Sequence, residues 1–74
     1  MNKYELEKKA GQIWFLISLR GTMSLKQICG ITHEKHLFII LALGLLIEED
    51  KVSIYEKGND IIVESAYSFL NMYY

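Results

Sequence analysis

The sequence predicts a mainly helical α+β domain: three helices, then a β-hairpin, then a short closing helix. Three observations predict it. Apolar residues recur at helical spacing from Leu6 onward. Two helix-start signals, at Ser24 and Thr32, lie close together in the middle of the chain. Two runs of β-branched residues flank a glycine-containing loop after Lys51. A chain of 74 residues has material for one core at most. Residues 1–74 are therefore a single domain, with its core in 5–64 and an appended segment, 65–74.

In the first helix, Leu6, Ala10, Ile13, Trp14 and Ile17 share one face, and Lys3, Glu7 and Lys8 stand largely off it. Trp14 reads as core. Arg20 should end this helix, with Gly21 free to take the left-handed conformation that closes it. Thr22 and Met23 suffice for a short extended bridge.

Ser24-Leu25-Lys26-Gln27 then forms a capping box, in which the serine oxygen accepts from the Gln27 amide and the glutamine reaches back. The second helix should run through Cys29 and stop near Gly30. Thr32 offers the next N-cap, and the third helix should run from His33 to about Glu49. With only Gly30, Ile31 and Thr32 between them, the two helices must meet at a sharp angle, the geometry of a helix-turn-helix. Leu37, Ile40, Leu41 and Leu45 can make one buried stripe of the third helix, with Phe38, Ile39, Leu43 and Leu46 partly on other faces. Gly44 costs about 1 kcal/mol relative to alanine in mid-helix, and close packing against Trp14 is the expected reason.

Val52–Tyr55 and Ile61–Val63 read as strands, with Glu56–Asp60 as the loop between them. Helix, helix-turn-helix and hairpin, in that order, make a winged helix. Ser65–Tyr74 places Ala66, Phe69, Leu70 and Tyr73 at helical spacing without a charged residue, and reads as a short terminal helix.

Three stretches carry a wider likeness: Ala10-Gly11-Gln12-Ile13-Trp14, Ser24-Leu25-Lys26-Gln27-Ile28, and Leu41 to Val52 with its Ala42-Leu43-Gly44-Leu45. In this order and separation the chain resembles a family of small bacterial winged helix-turn-helix domains of uncharacterised function, over about residues 5–64. The resemblance implies a winged-helix fold, a DNA-binding or regulatory role, and self-association. Leu45 stands where the family commonly has tryptophan, and Ile47-Glu48 where an alanine-arginine pair is common. Loss of that arginine removes a positive charge near the DNA side.

Composition narrows the function classes. Hydrophobic residues make up 51 % and charged residues 23 %, with a net charge of −1, which excludes a disordered tail. There is no Lys/Arg excess of the kind a basic nucleic-acid coat protein carries. Cys29 is the one cysteine, so no internal disulfide can form, and a reducing cytoplasm is the expected compartment. Ile13–Leu19 resembles a signal-peptide core, but Glu5 and Glu7 lie among the preceding lysines and Arg20 stands where a small-residue cleavage site belongs. The apolar run Leu37–Ile47 is far short of the roughly 20 residues a bilayer span needs, so no membrane partner is expected. Phosphate-binding loops, nucleophile elbows and zinc-finger spacings are absent, and His33 with His36 lacks further metal ligands. Neither catalysis nor a cofactor is expected.

Two binding functions remain. A DNA-reading helix-turn-helix would place His33, Lys35 and His36 in the major groove, with Lys57 and Asn59 of the wing on the backbone. Base reading favours Arg, Lys, Asn and Gln, yet Arg, Asn and Gln do not occur between Thr32 and Ala42. Residues 1–32 carry five basic and two acidic side chains, whereas residues 33–74 carry three basic and seven acidic. The half that would face phosphate is the acidic half, so DNA binding by a monomer should be weak. The alternative is a protein-interaction or dimerisation module that keeps the fold without the DNA function. Phe38, Ile39, Tyr67, Phe69 and Tyr73 would then form the contact surface, and a homodimer is the expected partner arrangement.

Overall fold

The computed structural model describes residues 2–66. Asn2 caps α1 (Lys3–Arg20), its Oδ1 accepting from the Glu5 amide at 2.8 Å. Gly21 closes the helix at φ 84°, and its N–H donates to the Ile17 carbonyl at 2.7 Å. The ψ of −54° differs from that of the left-handed helix expected there. Strand β1 (Thr22–Ser24) leads directly into α2 (Leu25–Thr32). Both arms of the capping box are present at 3.0 Å, Gln27 N–H to Ser24 Oγ and Ser24 N–H to Gln27 Oε1.

The turn of the helix-turn-helix lies three residues later than the sequence suggests. Gly30 and Thr32 remain in α2, and His33, Glu34 and Lys35 connect it to α3 (His36–Glu48). Thr32 does not cap α3. Its hydroxyl donates back to the Ile28 carbonyl at 2.7 Å and accepts from the Glu34 amide at 3.3 Å, so it is satisfied within the helix it ends. His33 takes the left-handed conformation, φ 59°, that stops α2. The axes of α2 and α3 are bent by 114°, within the range of a helix-turn-helix.

Helix α3 ends in a Schellman motif. The Asp50 amide donates to the Ile47 carbonyl and the Lys51 amide to that of Leu46, both at 2.9 Å, with Asp50 itself at φ 58°. An antiparallel hairpin follows, β2 (Val52–Lys57) and β3 (Asp60–Ser65). Its loop is two residues, Gly58-Asn59, shorter than the five expected. Gly58 at φ 63° supplies the first position of a II′-type turn, which lets Lys57 pair with Asp60 and lengthens both strands. The sheet order is β1-β3-β2, with Met23 opposite Val63 on one side and Ile54 opposite Val63 on the other. Ser65 ends β3 rather than beginning a helix, and the terminal helix expected over 65–74 otherwise lies outside the described residues, save for Ala66.

The core joins all three layers. Ala10, Ile13 and Ile17 come from α1, Leu25 and Ile28 from α2, and Met23, Val52 and Val63 from the sheet. The expected stripe of α1 is present, with Leu6 and Trp14 partly buried at its margin. Lys51 Nζ sits 5.1 Å from the centroid of the Trp14 ring. Trp14 Nε1 is buried without an acceptor among the described residues.

The phase of α3 differs from that expected, and of the foreseen stripe Leu45 alone packs against the core, partly buried. Its buried residues are Ile39, Ala42, Leu43 and Leu46, whereas Leu37, Ile40 and Leu41 are exposed. A helix apolar nearly all round has no polar face to set its rotation, so packing against α1 and the sheet decides it. Gly44 does not meet Trp14 either. It lies on the exposed side, and a Cβ built there meets nothing within 4 Å.

Candidate interaction surface

Successive turns of α3 bring Ile40, Gly44 and Ile47 together along one side of its solvent face, with Leu37 and Leu41 alongside. Leu37 is 69 % exposed, Ile40 51 %, Leu41 45 % and Ile47 44 %. Only His36 at the first position and Glu48 at the last are ionisable, so the face is uncharged for three turns. Gly44 interrupts it with a shallow notch, where none of the described residues stands to be crowded by a side chain. A mid-helix glycine costs about 1 kcal/mol relative to alanine, and nothing among the described residues requires it.

This is the helix that a winged-helix DNA reader lays in the major groove, and its outward chemistry does not suit base edges. Recognition relies on Arg, Lys, Asn and Gln, none of which occurs within His36–Glu48. The polar candidates collect elsewhere. His33 lies in the turn, not on α3; Lys35 occupies the N-cap position without a side-chain capping bond; His36 opens the helix. All three are exposed. Lys57 and Asn59, also exposed, form a second group at the tip of the wing. An open cleft lined by His33, Glu34, Lys35, Leu37, Phe38 and Leu41 joins the turn to the apolar face.

Charge around the turn is mixed. Lys9 of α1 reaches Glu34 at 3.2 Å and ties the turn to the first helix. A second open cleft beside this pair is lined by Glu5, Lys8, Lys9, Gln12, Glu34 and Phe38 and carries both signs. Lys51 pairs with Glu49 at 3.7 Å. No group of three or more metal-ligating side chains occurs among the described residues. Cys29 is half-buried, and desolvation raises its thiol pKa, which disfavours the reactive thiolate.

Of the surface residues proposed from sequence, Ile39 is wholly buried in the core and takes no part in a contact surface. Phe38 is half-buried at the edge of the apolar face, beside both clefts. Tyr67, Phe69 and Tyr73 lie outside the described residues. Sequence reasoning missed Leu37, Ile40, Leu41 and Ile47 as surface residues. The signal that could have found them is Gly44, since a glycine is least costly on a helix face that packs against nothing within its own chain. Further apolar side chains are exposed on α1 (Tyr4, Phe15, Leu19) and on the hairpin (Ile54, Tyr55, Ile61). No single helix among the described residues is long and apolar enough to cross a membrane.

A family model described as winged helix-turn-helix domain (DUF2582) matches residues 1–65. Comparison with curated proteins and with solved structures gives no match.

Proposed function

This chain belongs to that winged helix-turn-helix family, and from this premise we propose that it is a non-enzymatic, cytoplasmic binding module that works by protein contact, as a homodimer. One observation carries the reading: the outward face of α3 is a continuous uncharged apolar surface, with Leu37, Ile40, Leu41 and Ile47 all exposed. Exposed contiguous apolar area on a small domain marks an association site, and a symmetric pair is the commonest way to cover it. The residues that follow Ala66 in sequence, Tyr67, Phe69 and Tyr73 among them, carry no charge and are rich in aromatics. Those aromatics would extend the contact.

Sedimentation equilibrium over a dilution series tests the pairing. A mass near twice the monomer's 8.6 kDa, falling on dilution, is expected. A constant 8.6 kDa at high concentration overturns it.

A second reading, duplex DNA contact in a regulatory role, is favoured by the exposure of Lys35 and His36 at the start of α3 and of Lys57 and Asn59 on the wing. A dimer would combine two such weak sites. Non-specific contacts register at about 10–100 μM protein in low salt, so a duplex titration in that range decides the point. Binding that weakens when Lys35 and Lys57 are replaced by alanine supports DNA contact, and a flat titration removes it.

A further inference from the structure

We propose that two copies of this chain pair through α3 in antiparallel sense, about a two-fold axis at the level of Ala42, with Ile40 and Leu41 of each copy seated over Gly44 of the other. The inference rests on the homodimer reading and supplies its geometry.

Shape is the first argument. The exposed stripe runs from Leu37 to Ile47, about 15 Å at 1.5 Å per residue, with its midpoint at residue 42. A two-fold axis there sets residue 40 level with residue 44 of the second copy, and residue 37 level with residue 47. The largest exposed side chains near the centre, Ile40 and Leu41, then face the one position on the stripe that has no side chain. Among the described residues the notch is empty, because a Cβ at Gly44 meets nothing of theirs within 4 Å. A self-complementary surface of this kind is what an isologous contact requires.

Charge is the second argument, and it sets the direction. His36 and Glu48 are the only ionisable residues of α3, and they stand at its opposite ends. Parallel pairing would bring the Glu48 carboxylates of the two copies together. Antiparallel pairing sets each Glu48 level with His36 of the other copy, so the two carboxylates stand at opposite ends of the contact.

The test uses the full chain and a substitution that the monomer tolerates. Gly44→Leu enters open space within one copy and improves helix propensity, so the fold should be kept, as circular dichroism will show. A merely sticky surface would associate more tightly with an added leucine. The paired geometry instead fills its own notch, and the dimer dissociation constant should rise on the order of tenfold or more. Unchanged or tighter association of G44L overturns this arrangement while leaving the homodimer standing. A wild-type chain that stays monomeric removes the homodimer itself.

Cysteine cross-linking in a Cys29→Ala background gives an independent measure. Leu37→Cys mixed with Ile47→Cys should yield a disulfide-linked pair that neither gives alone. Cross-linking of either variant with itself would mean parallel helices and overturn the proposal. Deletion of residues 67–74 tests the other occupant of the face. If the full chain is monomeric and the shortened one pairs, the C-terminal segment covers α3 within one copy, and the proposal falls.

Discussion

Helices α1 and α3 pack against each other, and each buries one stripe in the shared core, yet they differ in what they leave to solvent. On α1, Lys3, Glu5, Glu7 and Lys8 occupy the outer side of the N-terminal half, and Lys3 even reaches Glu7 at 3.9 Å. On α3 the outer side is as apolar as the inner. A helix with charges on one side has its rotation written into it. A helix without them is turned by its neighbours, and its second apolar side is then left exposed. Of these two helices, the one with no polar face therefore says more about what the domain meets.

The largest effect that tests this contrast is a pair of isoleucine truncations one residue apart. Ile39→Ala removes a wholly buried side chain and should cost about 2–5 kcal/mol in urea denaturation. Ile40→Ala should change the stability of the dilute monomer by less than about 0.5 kcal/mol while weakening association. Similar losses at both sites would mean that α3 is rotated from the position described. Next in size is the start of α2, where local chemistry decides. Ser24→Ala removes the Oγ that accepts from the Gln27 amide, and a loss of about 1 kcal/mol is expected in the same measurement.

The smallest effect compares an exposed glycine of each long helix, Gly11 of α1 and Gly44 of α3. At neither does any neighbour stand within 4 Å of the place a Cβ would occupy. Each alanine replacement should stabilise the dilute protein by roughly 0.5–1 kcal/mol. At the high concentrations where the proposed pairing would operate, Gly11→Ala should keep its gain and Gly44→Ala should lose part of it. Thermal melts at two concentrations separate the cases.

What could be read from the sequence follows the same physics. The α1 stripe, the capping box at Ser24 and the two strands rest on local patterns, and each is present in the fold. Residues that could serve two roles misled. Thr32 looks like an N-cap, but its hydroxyl finds the Ile28 carbonyl and stays in α2, shifting the turn to His33–Lys35. Gly30, a plausible helix stop, lies inside α2 without a positive φ. The rotation of α3 was not legible because eleven consecutive residues, Leu37–Ile47, hold no charge to orient it. That this helix would leave some apolar surface exposed was legible from its composition. Which residues form that surface depends on tertiary packing: Ile39 went inside, and Ile40 stayed out.

The sheet order carries a consequence for how the chain comes to be made. The central strand, β3, is the last to leave the ribosome, and β1 is the first. Thr22 has to wait for Glu64 before it has a cross-strand neighbour, and the Gly21 carbonyl has to wait for the Ser65 amide. The sheet therefore cannot assemble from the N-terminus outward during translation. Until synthesis passes Ser65 the strand that ties both ends of the domain together is incomplete, and a chain halted before β3 has only unpaired β1 and β2 to lay against its helices.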